Sequence, residues 1–193
     1  MRAEVRLHRY RVRHTILVMG STRASRRHPY YAVAREFGAL VAADGRAALM
    51  TGGGPGIMEA ANRGAFEAGG LSIGLNIELP LPQAPNRYLT PGLSLNFRYF
   101  ALRKLHFMLR ARAMVAFPGG YGTLDELFEA LTLVQTRKVR PMPVVLVGRK
   151  WWQRAVGFDF LVAEGVISRR DARLFRLADS AAEIWRAVSP GLG

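Results

Sequence analysis

The hydrophobic positions of the chain form short apolar runs that alternate with longer segments in which apolar and polar residues are interleaved. Short apolar runs bounded by turn residues are typical of buried strands, and longer periodic segments that end near glycine are typical of helices. The apolar runs predict strands over residues 14–20, 47–51, 71–76, 113–117, 143–148 and 174–177. The periodic segments predict helices over residues 29–43, 56–68, 95–111, 127–135, 151–164 and 181–188.

This alternation predicts an α/β fold built from β-α-β units. Right-handed crossovers place helices on both faces, so we expect a three-layer, doubly wound and mostly parallel sheet. Every glycine cluster follows the carboxyl end of a predicted strand, which is where such sheets bind ligands. We expect a single domain over residues 13–193, preceded by a basic extension over residues 1–12.

Composition narrows the class of protein. A chain of 193 residues, half of them hydrophobic, is long enough for one domain with a sizeable core. The absence of cysteine excludes disulfides, thiolate metal sites and a cysteine nucleophile, and it favours a cytoplasmic protein. There is no secretory signal and no apolar stretch of about 20 residues, so no membrane partner is expected. The histidines lack a spacing suited to a metal, so no metal site is expected.

The charge of the chain has two interpretations. Its 28 basic and 14 acidic residues give a formal net charge of +14, which would attract a polyanion such as nucleic acid. Alternatively, the charge reflects an arginine-rich solvated surface. The basic residues are scattered along the sequence, which favours the second interpretation, so no nucleic-acid partner is expected. A small anionic substrate would benefit from the same field.

Two glycine-containing turns follow the first two predicted strands. Gly20 and Ser21 form a small-residue turn that is equally consistent with an ordinary loop and with a site where Ser21 donates to a phosphate. The segment 51–58, Thr-Gly-Gly-Gly-Pro-Gly-Ile-Met, contains more glycines than a tight turn needs, which favours close approach of a ligand to Gly53, Gly54 and Met58. It matches neither the dinucleotide fingerprint nor the P-loop.

The most informative segment covers residues 118–126, Pro-Gly-Gly-Tyr-Gly-Thr-Leu-Asp-Glu, between a predicted strand and a predicted helix. Its backbone N–H groups and the positive end of the helix predict a phosphate site. We expect Glu126 in the first helical turn, where a carboxylate beside a phosphate suggests chemistry on a nucleotide. The alternative is a capping box between Thr123 and Glu126. The Gly-Gly-Tyr-Gly turn favours the ligand site, because a cap needs no such turn. The residues assigned to phosphate binding are Gly119, Gly120, Tyr121, Gly122 and Thr123.

The predicted helix over residues 95–111 carries Tyr99, Arg103, His106 and Arg110 on one face. This pattern fits either a solvated cationic face or a helix that projects Arg103 into the ligand site. Taken alone, the residues favour the solvated face.

With these motifs in place, the chain resembles the Lonely Guy (LOG) family of cytokinin riboside 5′-monophosphate phosphoribohydrolases. The resemblance rests on residues 52–58, on residues 118–126 and on Arg103-Lys104, and it extends from about residue 14 to residue 185. The separation of Arg103 from Glu126 (126 − 103 = 23 residues) also agrees with the family. Phe100-Ala101-Leu102 departs from the Met-His-x that precedes Arg-Lys in plant-type members, which leaves the base specificity open.

The resemblance implies a Rossmann-like fold and hydrolysis of the N-glycosidic bond of a nucleoside 5′-monophosphate, either AMP or a cytokinin riboside monophosphate. It implies Glu126 and Arg103 as catalytic residues, Lys104 among the nucleotide-binding residues, a loop at residues 78–91 that covers the base, and no cofactor or metal. It also implies a homodimer or a larger homo-oligomer. The sequence shows no pyridoxal-phosphate lysine motif of the kind that a lysine decarboxylase would need. The alternative is a non-catalytic protein of the same superfamily that binds a nucleotide, a molybdenum cofactor or single-stranded nucleic acid.

Overall fold

The computed structural model, which describes residues 2–80 and 84–192, contains one seven-stranded sheet in the order β4-β3-β2-β1-β5-β6-β7. All neighbouring strands pair in parallel. The strands are β1 Thr15–Met19, β2 Ala48–Thr51, β3 Ser72–Ile77, β4 Ser94–Phe97, β5 Ala111–Ala116, β6 Val144–Val147 and β7 Phe175–Ala178. The α/β, doubly wound fold predicted from the sequence is therefore confirmed.

Helices cover both faces of this sheet and bury it. They are α1 Arg2–Arg9, α2 Pro29–Asp44, α3 Ile57–Glu67, α4 Phe100–Arg110, α5 Tyr121–Gln135, α6 Arg149–Ala155, α7 Phe158–Ala163 and α8 Ala181–Val188. Alternate residues of β1 belong to different cores: Leu17 packs in one cluster, whereas Ile16 and Val18 pack in the other. This is the period-two alternation of a strand that is buried on both faces. Among the helices of the described residues, none has both the length and the apolar character that a membrane span requires.

The structure corrects two predictions of secondary structure. The helix expected over residues 151–164 is two shorter helices, α6 and α7. The helix expected over residues 95–111 begins only at Phe100, and residues 94–97 instead form the edge strand β4, which pairs with β3. Leu95 and Phe97 point into the core, while Asn96 is exposed. This alternation belongs to a half-buried strand, but it is short and runs directly into the apolar periodicity of α4.

The start of the chain also has regular structure. Helix α1 places Leu7 in the core, fully buried, and the following Val12 is almost as buried. Glu4 of this helix accepts from Arg110 of α4 over 2.6 Å. Helix α1 and the loop before β1 therefore pack on the same side of the sheet as α4.

Candidate active site

The candidate site lies at the carboxyl edge of the sheet, where the direction of winding reverses. Strand β1 has β2 on one side and β5 on the other, and the loops that follow these strands meet above it. A reversal of this kind leaves a crevice in which parallel α/β sheets bind ligands. Here the crevice is a cavity of about 720 Å³ that is lined by these loops and by the starts of α3, α4 and α5.

Hydrogen bonds join the loops around the cavity. The N–H of Ser21, after β1, donates to the carbonyl of Pro118, after β5, over 2.9 Å. The Ser21 carbonyl in turn accepts from the N–H of Ile57, at the start of α3, over 3.0 Å. The Ser21 hydroxyl accepts from the N–H of Arg23 over 3.1 Å, which leaves its own O–H free to donate to a ligand.

Two glycines in the loop after β2 have conformations that other residues rarely adopt. Gly53 has a φ of +74° and Gly56 a φ of +70°. A Cβ at Gly53 would collide with the side-chain oxygen of Asn76, and one at Gly56 would collide with the carbonyl of Ser21. The glycine-rich loop therefore lets β3 and the loop after β1 approach closely at the cavity.

The start of α5 supplies backbone donors to the cavity. Gly120 is the N-cap, and the helix begins at Tyr121 without a side-chain cap. Thr123 is thus already the third helical residue, and the alternative capping box does not form. Glu126 lies in the second turn and not, as expected, in the first. The uncapped N–H groups of the first turn stay available to an anion.

Arg103 and Glu126 form a buried ion pair in the cavity wall. Nη2 of Arg103 donates to Oε1 of Glu126 over 2.9 Å. The side chains are only 9% and 2% exposed, respectively. Arg103 therefore does not belong to the solvated face that the pattern on α4 favoured. Its position matches the alternative in which this helix projects Arg103 into the site.

Burial controls the protonation of this pair. Removal from water raises the pKa of Glu126 to about 7, although the adjacent charge of Arg103 acts in the opposite direction. Burial also lowers the pKa of the Arg103 guanidinium, against the effect of Glu126. The Glu126 carboxyl thus exchanges its proton close to neutral pH, as carboxyls in catalytic sites often do.

The Arg103 guanidinium contacts two aromatic rings and has one N–H group without a hydrogen-bond partner among the described residues. Its Cζ lies 5.0 Å from the centre of the Phe100 ring and 5.4 Å from that of Phe107. Contacts of this kind hold a guanidinium in place through cation–π attraction. Nε of Arg103 is buried and has no hydrogen-bond partner among the described residues. Such a donor is costly unless a ligand satisfies it.

The cavity brings together most of the residues singled out in the sequence. Those that line it are Gly20, Ser21, Gly54, Met58, Arg103, Gly120, Tyr121, Gly122, Thr123 and Glu126. Gly53 and Gly119 instead allow the loops around the cavity to pack closely. A Cβ at Gly119, for example, would collide with Thr123. Lys104 points away from the cavity and binds Asp125 at 2.8 Å and Glu129 at 3.4 Å.

Other lining residues were not assigned to the site from the sequence, although Leu124 lies within residues 118–126 and Thr22 and Arg23 directly follow Ser21. They include Thr22, Arg23, Asn76, Ile77, Leu79, Ala84, Phe100 and Leu124. Leu79 and Ala84 belong to the loop that we expected to cover the base, of which residues 81–83 lie outside the described chain. For the rest the available signal was position, because several of these residues follow directly after predicted strands. Among the described residues, no cluster of three or more histidine, aspartate or glutamate side chains is arranged to hold a metal.

Comparison with protein families gives a match over most of the chain. A family model described as "Possible lysine decarboxylase" matches residues 58–188. A protein of Oryza sativa subsp. japonica named "Probable cytokinin riboside 5'-monophosphate phosphoribohydrolase LOG4" is 28% identical over 171 residues, which is 88% of this chain and 74% of that protein. The "Cytokinin riboside 5'-monophosphate phosphoribohydrolase LOG7" of Arabidopsis thaliana is 36% identical over 87 residues, 45% of this chain and 40% of that protein.

Solved structures with the same fold include the molybdenum cofactor carrier protein of Chlamydomonas reinhardtii. It superposes with a TM-score of 0.66 at 27% identity, covering 93% of this chain and 98% of the carrier. A likeness of this extent shows the Rossmann-like, three-layer architecture, and it sets a carrier protein beside the phosphoribohydrolases as a relative of this chain.

Proposed function

The chain belongs to the LOG family, and from this premise we propose that it hydrolyses the N-glycosidic bond of nucleoside 5′-monophosphates to a free base and ribose 5-phosphate. The observation that carries the proposal is the buried Arg103–Glu126 pair beside the uncapped start of α5 in one cavity. A phosphate-binding helix end next to a carboxylate of raised pKa suits a substrate that has both a phosphate and a glycosidic bond. The names of the relatives support the same reaction class.

The phosphate is proposed to bind at the start of α5. Gly120, Tyr121 and Gly122 line the cavity at the start of this helix, which has no side-chain cap, and the N–H groups and positive end of a helix bind anions. The Ser21 hydroxyl can add a donor, because its acceptor side is already used by Arg23. Apolar lining residues such as Met58 and Ile77 offer surface to a purine base.

The chemistry is assigned to Glu126. Cleavage of an N-glycosidic bond develops positive charge on the ribose, and a carboxylate stabilises an oxocarbenium-like transition state or orients the attacking water. Arg103 fixes the carboxylate through their 2.9 Å hydrogen bond. The same guanidinium positions the substrate and offsets the negative charge that develops on the departing base.

The description of the family model as a lysine decarboxylase implies pyridoxal phosphate, which this site does not suit. Pyridoxal phosphate is held by a lysine through a Schiff base. The lysines of this chain are Lys104, Lys138 and Lys150. In the cavity as the described residues form it, none of them is a lining residue, and Lys104 is paired with Asp125 and Glu129. The described lining of the cavity therefore lacks the lysine that decarboxylation with pyridoxal phosphate requires.

We further propose that the chain forms a homodimer or a larger homo-oligomer through α4. Leu102, Leu105 and Leu109 are each at least half exposed on this helix. Exposed apolar surface of this kind marks association sites. Phe100, on the same helix, lines the cavity, so an interface on α4 would adjoin the site.

A second candidate function is that of a carrier. The molybdenum cofactor carrier covers nearly the whole chain at 27% identity, so binding without hydrolysis is supported by overall likeness. A carrier needs neither a carboxyl of raised pKa nor an arginine bound to it, and on that ground we favour the enzyme.

A panel of nucleoside 5′-monophosphates tests the choice. The protein is incubated with AMP, GMP, CMP, UMP and an N6-isopentenyl AMP, and free base is measured by liquid chromatography. Release of base from at least one of them, lost in Glu126→Gln, supports the hydrolase. Absence of base from the whole panel, together with binding of molybdenum cofactor, supports the carrier. Preference for isopentenyl AMP over AMP would identify a cytokinin precursor as the substrate.

A further inference from the structure

We propose that Arg23 is a specificity-determining residue, which selects phosphorylated substrates by pairing with the 5′-phosphate. This assignment rests on the proposed function, because it places a nucleoside monophosphate in the cavity. Arg23 belongs to the loop after β1 and lines the same cavity as Ser21 and the start of α5.

The charge balance of the cavity points to Arg23. Of the described residues that line it, three are charged: Arg23, Arg103 and Glu126. Arg103 is bound to Glu126, so their charges offset each other when the carboxyl is ionised. A phosphate monoester has a charge of about −1.5 to −2 near pH 7, and a helix end contributes only about half a positive charge. Arg23 supplies the further full charge that the phosphate requires.

Among the described residues, Arg23 also has no carboxylate partner that would compete with a phosphate. In the part of the chain that the structure describes, no carboxylate lies within ion-pairing distance of its guanidinium, whereas Arg26 on the same segment binds Glu59 at 2.8 Å. The Arg23 side chain is exposed at the cavity edge. An arginine in that position can form a bidentate pair with a phosphate.

The backbone of Arg23 is held in place relative to the start of α5. Its N–H donates to the Ser21 hydroxyl over 3.1 Å, and the Ser21 N–H donates to Pro118, two residues before Gly120. The loop that carries the arginine is therefore tied to the loop that presents the helix N–H groups. A rigid link of this kind lowers the entropy cost of bringing both to one phosphate.

The test measures binding of ribose 5-phosphate, the proposed product, which needs no turnover. Arg23→Gln should raise its Kd about 10- to 100-fold, as expected for a lost charged hydrogen bond. Arg23→Lys should show a smaller loss, because it keeps the charge and loses the planar fork. The matched control is Arg27→Gln, an exposed arginine on the same segment that does not line the cavity.

The outcomes separate this inference from the proposed function. A Kd for Arg23→Gln equal to that of Arg27→Gln overturns the assignment, even if the wild-type protein releases base from AMP. Phosphate binding that depends on Arg23, in a protein that hydrolyses no monophosphate, supports the assignment and rejects the hydrolase. A second readout is the salt dependence of the Kd, which should weaken in Arg23→Gln and stay unchanged in Arg27→Gln.

Discussion

Arg103 and Glu126 are joined across α4 and α5 by a 2.9 Å hydrogen bond that is almost fully withdrawn from water. The next residues, Lys104 and Asp125, repeat the connection at the surface with a 2.8 Å ion pair. Two consecutive positions on one helix thus contact two consecutive positions on the other. The inner pair faces the cavity and the outer pair faces solvent, so only the inner one is placed to take part in chemistry.

Replacement of Glu126 should abolish base release without unfolding the protein. Glu126→Gln keeps the size of the side chain and removes its negative charge, so we expect kcat for AMP to fall by about 100-fold or more. The control is Glu129→Gln, which removes a carboxylate from the next turn of α5, where it contacts Lys104 outside the cavity. Turnover of Glu126→Gln at the wild-type rate, measured as free adenine, would reject the catalytic assignment.

Activity should rise with pH around neutrality. The pKa of Glu126 is raised to about 7 by burial, and the proposed mechanism uses the ionised form. We therefore expect kcat/KM for AMP to fall about tenfold per pH unit well below this pKa and to level off above it. The second ionisation of the substrate phosphate, at about 6, gives a separate inflection.

Arg103→Gln provides the matched test of that profile. Removing the positive charge takes away the interaction that lowers the pKa of Glu126, so any residual activity should require a higher pH. A profile with its inflection at the same pH in both proteins would show that another group controls the rate.

The stability of the folded protein should fall as pH rises toward neutrality, whereas the activity should rise. The pKa of Glu126 rises from an ordinary 4.5 to about 7 on folding, so the folded state holds the proton more tightly between these values. The contribution of Glu126 to the free energy of unfolding is then largest below about pH 4.5. This contribution decreases by about 1–3 kcal/mol as the pH rises to 7. Denaturant unfolding at several pH values measures this slope, which Glu126→Gln should flatten. An unchanged slope would contradict burial of the carboxyl.

Substitution of Gly56 should be far more damaging than its small size suggests. Gly56→Ala combines a φ of +70° with a collision against the Ser21 carbonyl, for which we expect a loss of about 2–4 kcal/mol. Gly69→Ala isolates the effect of the positive φ, because Gly69 has a φ of +77° and an added Cβ there would have no atom of the described residues within 4 Å. That variant should lose only about 1 kcal/mol. Equal losses in thermal unfolding would show that the contact with Ser21 is unimportant.

A charge on the exposed face of α4 should change the oligomeric state. Leu105→Glu places a carboxylate in the proposed interface and should shift the protein to monomer in sedimentation velocity. Val166→Glu is the control, because Val166 is a 66% exposed apolar residue outside that helix. An identical sedimentation coefficient for the two variants would place the interface, if one forms, elsewhere.

The arrangement of strands was predictable because most of them are buried on both faces. A strand such as β6, with four buried residues, has no polar position that would confuse it with a surface helix. Strand β4 was missed for the opposite reason: it pairs with one neighbour, and its exposed Asn96 continues into the mixed pattern of α4. Edge strands of four residues have too little pattern of their own.

The parts of the site that depend on backbone conformation were predictable from the sequence. The parts that depend on tertiary contacts were not. Glycines at turns after strands indicated the loops that meet above β1. The burial of Arg103 depends on Glu126, 23 residues later, and the pattern on α4 alone indicated a solvated face. Lys104 was expected to bind the nucleotide because Arg103-Lys104 resembles the Arg-Lys motif of the LOG family, yet its side chain pairs with Asp125. Arg23 belongs to the turn after the first predicted strand, but only Gly20 and Ser21 of that turn were assigned to the site, and the fold is what brings Arg23 to the cavity.

The hydrogen bonds among Ser21, Pro118 and Ile57 limit how this pocket can be re-engineered. Each of the three loops uses a backbone group of another to keep its own shape. Grafting a single loop from a relative would remove partners from the two that remain, so an exchange of substrate preference by loop grafting requires all three to be transferred together. Side chains that project from this framework, such as Met58 and Ile77, can be varied singly, and libraries for new base selectivity are best confined to them.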